Sequence, residues 1–272
     1  MKKYPVIDMH THLRNDILMH TRIASESGIY LVVYMANCVP PLDNLDAIKK
    51  SLEEERYGNV IAMPVSAITK GLEGKELVDI GRINPHVLGF SDDGRCVYDL
   101  GIVKEILQSG SLVLAHCEPE TEMIENYLDL LSDVGGRLHI QHISRKESVD
   151  LIREAKKSLS SDIFTCETCP HYFTFTEHQL AVDVYPPLGK MEDVKAIREG
   201  LYDGTIDVIA SDYAPPPRPR GTGIAGFSFF LPLCYGLVKQ GILTEEQLRQ
   251  KIYDNPKRII ERSGVWLYFG DY

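Results

Sequence analysis

The sequence predicts an α/β fold: a single (β/α)8 TIM-like barrel, with an open doubly wound sheet as the alternative topology. Three observations lead there. Short β-branched runs alternate with amphipathic segments along the chain. The runs are nearly continuous in apolar residues, as parallel strands covered on the outside are. Eight such runs fit within the 272 residues, and α/β barrels commonly take about 250.

Taken in order, the strands are expected at 6–10, 30–36, 59–65, 87–90, 111–116, 137–142, 162–166 and 207–210. Apolar residues at helical spacing place helices between them at 42–57, 99–109, 120–133, 146–159 and 192–202. The segment 214–226, APPPRPRGTGIAG, follows the last strand. Its prolines bar a regular helix and its glycines allow bends, so it reads as a loop on the catalytic face. Helices at 229–240, 245–254 and 256–263 then close the chain. No linker, low-complexity run or fixed-period repeat interrupts it, so residues 1–272 are expected to form one domain.

Composition narrows the function classes. Hydrophobic residues at 44% and charged residues at 25% exclude a disordered or collagen-like chain. The net charge of -10, from 29 basic and 39 acidic residues, argues against a nucleic-acid partner. Six cysteines are too sparse for a disulfide scaffold. The start, MKKYPVIDMHTH, meets Asp8 and His10 too soon to build a signal-peptide core. The longest apolar stretch, 28–39, is too short to span a bilayer. A cytoplasmic protein with no membrane partner is expected.

The chemistry gathers at strand ends. The first strand ends His10-Thr11-His12, and residues two apart on a strand share one face, so both imidazoles can meet one metal. The fourth runs into Ser91-Asp92-Asp93-Gly94, a plain turn or a bridging carboxylate. The fifth ends at His116 and the eighth at Asp212, which alone reads as a cap for the next element. His139 and His142 lie three apart on the sixth, so only one can point into the mouth. His142 is the choice, with His139 an outward-facing structural residue. Each signal is weak alone; a barrel brings all these ends into one ring, which points to a metal site.

The motifs VIDMHTHLR, MANCVPP, PVSAITKGLEG, GFSDDG, LAHCEPE, HISRKES, CETCPHY, YPPLGK and DGTIDVIASDYAP occur in the order seen in dihydroorotases of the amidohydrolase superfamily, which the chain resembles from Val6 to about Gly226 and more weakly from Asn255 to Gly264. The resemblance implies a barrel lacking a substantial accessory β domain, and two Zn2+ ions per chain. His10 and His12 match the ligands of the first ion, and His116 and His142 those of the second. Asp93 matches the bridge, with Asp92 as the alternative, and Asp212 a first-ion ligand that is also the catalytic general base. The turn contains no lysine, unlike the carboxylated-lysine bridge of hydantoinases and allantoinases.

For substrate binding the resemblance implies Arg14 against a carboxylate, Asn37, and a backbone contact at Gly226 and Phe227. Three positions depart: Tyr185 stands for an asparagine, Gly189 for an arginine, and Tyr213 and Pro216 for two histidines. The loop after the eighth strand is also shorter. Either the carboxylate contact has moved, to Arg218 or Arg220, or the substrate is another cyclic amide; a solvated loop is the plain reading of those arginines.

Other residues are read as structural. Cys166 and Cys169 have CxxC spacing but no second pair. His171 is read as ordering the site without being a ligand, and His20, His86 and His178 as surface or capping groups. Lys70 is a solvated charge, and Trp266, Tyr268, Phe269 and Tyr272 an aromatic tail. The expected activity is the reversible interconversion of N-carbamoyl-L-aspartate and dihydroorotate in pyrimidine biosynthesis. The alternatives are a hydrolase of hydantoin- or allantoin-like rings, or a catalytically silent partner of a transcarbamoylase. The expected partner is a small cyclic amide or carbamoyl amino acid; a homo-oligomer or association with a transcarbamoylase is left open.

Overall fold

The computed structural model describes residues 4–180, 183–215 and 222–265. Pro216, Arg218, Arg220 and the aromatic tail lie outside the described residues. The strands are β1 (Ile7–Thr11), β2 (Leu31–Tyr34), β3 (Ile61–Pro64), β4 (Leu112–Ala115), β5 (Arg137–Ile140), β6 (Phe164–Thr168) and β7 (Val208–Ile209). They form two parallel sheets, ordered β1-β2-β3 and β4-β5-β6-β7. Helices occupy the crossovers, as parallel pairing requires.

The longer helices fall where amphipathic spacing puts them: Leu45–Glu55, Leu100–Gln108, Glu120–Val134, Lys146–Ala155, Met191–Asp203 and Phe227–Lys239. Local capping sets their ends. The Asn44 side chain accepts a hydrogen bond from the Ala47 amide, and Gly204 adopts the left-handed conformation that stops the helix ending at Asp203. Among the described residues no helix is long and apolar enough to cross a membrane.

The fourth expected strand does not form a ladder. Phe90 makes only single parallel bridges, to Ser66 on one side and Val113 on the other. Gly89 explains the close passage: a Cβ there would lie 2.4 Å from the Leu112 carbonyl oxygen. The backbone nevertheless bonds both neighbours, with Leu88 N donating to Pro64 O at 2.9 Å and Phe90 N to Leu112 O at 2.9 Å. At the other junction His12 N donates to Tyr213 O at 2.8 Å.

Side chains alternate between two apolar layers. Leu31, Val33, Met63, Leu112 and Leu114 pack with Ile7 and Met9 in one cluster. Val32, Tyr34, Val113, Ala115, Leu138 and Ile140 belong to the layer that packs on the helices. The Tyr34 hydroxyl bonds Ser51 and Glu55 of the helix Leu45–Glu55, which marks that side as outward.

A register slip in β1 decides where the chemistry goes. Ile7 pairs with Leu31 and Thr11 with Tyr34, so β1 uses one residue more than β2 over this stretch. Without the slip His10 and His12 would share a face with Val32 and Tyr34, against the helices. The extra residue reverses the parity: Thr11 now pairs with outward-facing Tyr34, and the histidines flanking it face inward. Re-aiming side chains is what such bulges do.

Candidate metal centre

Six side chains from five strand ends converge. Asp93 lies at the middle. Its Oδ2 is 3.0 Å from His10 Nε2 and 3.1 Å from His12 Nε2, while its Oδ1 is 3.0 Å from His116 Nδ1 and 3.4 Å from His142 Nε2. Asp212 Oδ1 completes the first side, 3.2 Å from His12 Nε2 and 3.7 Å from His10 Nε2. His116 Nδ1 and His142 Nε2 are 2.8 Å apart. All six residues are buried. Two groups of donor atoms, His10-His12-Asp212 and Asp93-His116-His142, each lie within 4.8 Å of one another.

Backbone strain accompanies this placement. His142 and Asp212 sit at φ of 38° and 47°, in the left-handed region that residues with a Cβ rarely adopt. The turn brings His142 inward even though His139 and Gln141 already occupy the inward positions of that strand and its extension. His139 therefore corrects the expectation of an outward residue. It is fully buried and inward, with Nε2 3.1 Å from Glu167 Oε2 and Nδ1 2.8 Å from Thr165 Oγ1. Three residues apart do face opposite ways on a regular strand; here the strand ends at Ile140, before His142.

Beneath the ligand-type residues lies a polar layer, of which sequence reasoning named Asn37, for substrate binding, and missed Glu167. Glu167 Oε1 accepts from His10 Nδ1 at 2.7 Å, and its other oxygen meets His139. Asn37 Oδ1 accepts from His12 Nδ1 at 2.9 Å. Both contacts occupy Nδ1 and turn Nε2, the atom a ligating imidazole offers, towards Asp93. Asp8 Oδ1 accepts from the Ser211 amide at 2.9 Å, tying the first strand to the last. A charged residue inside an apolar strand, as Glu167 is, was the available signal.

With only protons between these groups, carboxylates and imidazoles share charge. Burial alone would lower His12, but Asp212 and Asp93 beside it raise it to about 9. Burial would raise Asp212, yet the His12 hydrogen bond and the neighbouring histidines bring it to about 2. Glu167 also falls to about 2, because His10 and His139 outweigh its burial. A field that draws protons this strongly draws divalent cations too. The donor set fits two of them: four imidazoles, a terminal carboxylate, and one carboxylate presenting an oxygen to each side.

Asp92, the alternative bridge, faces away and holds a neighbouring loop. It accepts from the Ile68 amide at 2.7 Å, the Thr69 amide at 3.0 Å and the Thr69 hydroxyl. Arg14 Nη1 donates to Pro215 O at 2.8 Å, at the edge of the proline loop. Gly226 caps the helix Phe227–Lys239 beside Ser211, while the Phe227 ring stacks on Tyr213 at 3.7 Å in the core. His20 corrects the expectation of a surface or capping group: it is buried, with Nδ1 2.8 Å from the Tyr213 hydroxyl. His171 is buried too, its Nε2 without a partner, and burial lowers it to about 4.

Two of the departures acquire a structural account. The Tyr185 ring stacks on His116, with centroids 5.6 Å apart and planes 17° from parallel. At Gly189 a Cβ would lie 2.4 Å from Asp193 Oδ2 and 2.8 Å from an Arg145 Nη1, so those side chains fill the space of an arginine.

No family model matches the chain. A dihydroorotase from Acetivibrio thermocellus is 33% identical over 309 aligned positions, covering 94% of this chain and 72% of the relative. Among solved structures, an L-hydantoinase from Arthrobacter aurescens superposes with a TM-score of 0.81 at 21% identity, covering 94% of this chain and 70% of that one. A Saccharomyces cerevisiae dihydroorotase in complex with 5-fluoroorotic acid gives a TM-score of 0.80 at 15% identity, covering 94% and 84%. The class is thus the amidohydrolases, metal-dependent enzymes that open cyclic amides. Within it, this chain belongs to the dihydroorotase family.

Proposed function

We propose that the chain holds two zinc ions and interconverts dihydroorotate and N-carbamoyl-L-aspartate. The single observation carrying this reading is Asp93, whose two oxygens each face a separate set of nitrogen donors. His10, His12 and Asp212 would hold the first ion, His116 and His142 the second, and Asp93 would serve both. When bound, the pair would supply a water acidic enough to react at neutral pH and positive charge beside the scissile carbonyl.

The chain's own residues do the rest. Asp212 takes the proton of the attacking water and hands it to the departing ring nitrogen. The hydroxyl goes to the carbonyl carbon, the C–N bond breaks, and one water is consumed per ring opened. Arg14, at the edge of the proline loop, binds the substrate carboxylate. Asn37 orients His12 through its oxygen and keeps its amide group for the substrate, and the backbone at Gly226 and Phe227 lines the same side.

We further read residues 1–272 as one domain, in which the bonds at Phe90 and Tyr213 would close the parallel strands into an eight-unit barrel. The substrate is a small molecule. A second reading, a different cyclic amide, is favoured by one observation: Tyr185 covers His116 where the family carries a small polar side chain. A silent scaffold is disfavoured, since such a subunit has no need of the inward-turned Asp212. The test is zinc content and dihydroorotate turnover on one sample. Two ions with turnover support the proposal; two ions without turnover move the substrate to the second reading; absence of bound metal removes both.

A further inference from the structure

A groove of about 900 Å3 opens at the N-terminal ends of β2 and β3, opposite the strand ends that carry the metal-ligand residues. The helices Ile17–Glu26 and Leu45–Glu55 end beside it. Its walls are mainly apolar, with Ile29, Leu52, Val60, Ile61 and Pro85 among them. Two charged groups line it as well. Glu55 accepts from the Tyr34 hydroxyl, whereas Arg56 is exposed.

Val265 lines the same groove. The helix Asn255–Glu261 has ended by then, and Gly264 takes a left-handed φ of 77°. After that turn Val265 is buried in the cluster of Ile7, Leu31 and Ile260. The next residues, 266–272, read WLYFGDY: four aromatic rings, one leucine and a single charge, Asp271. Burying such side chains is favourable, and fully stretched the segment reaches at most about 25 Å from Val265. A tether this short gives the segment an effective concentration at the groove in the millimolar range. A separate molecule would have to overcome the entropic cost of association to match it.

We propose that residues 266–272 dock in this groove as an intramolecular strap, with their rings on its apolar wall and Asp271 towards Arg56. The strap covers the face of the strands that the metal centre does not use. It holds the helix Asn255–Glu261 against β2 and β3, and it is independent of the reaction read above.

Trp266 is the only tryptophan in the chain, so its fluorescence reports on the segment directly. In the folded protein its emission is expected at shorter wavelength than in urea, with acrylamide quenching several-fold weaker at every protein concentration. Val60→Glu, which puts a charge on the apolar wall, is expected to restore most of the quenching while far-UV circular dichroism stays native. Should that variant fail to fold, Pro85→Glu, at an exposed groove position, is read in its place. Equal quenching in the folded and unfolded chain overturns the strap. So does protection that survives the groove substitution, which would put the segment elsewhere. Protection that appears only as chains associate in sedimentation overturns it too, because a second copy would then be the occupant.

Discussion

The two sides of the centre are built differently. On the first, His10 and His12 are each held from behind, by Glu167 and Asn37, and both Nε2 atoms already face Asp93. On the second, His116 Nε2 and His142 Nδ1 are buried without partners, and the two rings lean on each other at 2.8 Å. Apart from the contacts of its Nδ1 with Asp93 and His142, His116 is restrained by stacking from Tyr185. One side is a preformed cradle; the other is completed by whatever cation enters it. The lesson is that the sides differ in more than ligand number, because the residues behind a ligand set its tautomer and its freedom.

The largest expected effect comes from removing what the two sides share. Asp93→Ala should release both ions and lower turnover by more than about a thousandfold, read as metal content and kcat on one sample. Retention of either ion would show that the sides are independent. Asp212→Asn acts on the first side alone, with kcat expected to fall by about 10²–10⁴ while thermal unfolding stays cooperative. Near-normal turnover would remove Asp212 as the proton carrier.

Smaller changes separate cradle from follower. Glu167→Gln should weaken the first ion by about ten- to a hundredfold and leave the second nearly unchanged, measured by competition with a chromophoric chelator. In the unaltered protein the same titration should strip the second side first. Simultaneous release would erase the distinction drawn here.

The last comparison, with no effect expected on the metal centre, provides a reference outside it. Glu55 is buried against the Tyr34 hydroxyl, and burial raises its carboxyl to about 8, with the Tyr34 hydrogen bond opposing. The folded state keeps a proton that the unfolded chain gives up near its ordinary value. Stability from this group is therefore complete below about pH 4.5 and declines up to about pH 8, by at most about 1.4 kcal/mol per pH unit. Glu55→Gln should flatten that slope in denaturant titrations without altering metal content.

Much of this was legible beforehand, for reasons that can be named. Apolar runs located β1 through β7 because buried parallel strands leave few polar positions. The six residues of the centre stood out because each ends such a run with a side chain of metal-ligand type. What failed to show was tertiary. Glu167 lay inside a segment noticed for its cysteines, and its task depends on His10, 157 residues away. His139 was assigned by counting two-residue alternation beyond Ile140, where the strand has already ended. The strand at 87–90 is apolar enough to be expected, yet it is held by single bridges, with Gly89 permitting its close passage by Leu112. His20 looked isolated because its partner, Tyr213, is 193 positions on.

The one-residue surplus in β1 reaches further than its size implies. Deleting Met9 would keep the HxH spelling and nearly all of the hydrophobic content, yet would swing both imidazoles into the greasy packing beneath the helices. Such a chain would look intact to a motif search and be dead as a catalyst. Counting positions across that strand, rather than matching letters, is thus a criterion for sorting working relatives from decayed ones.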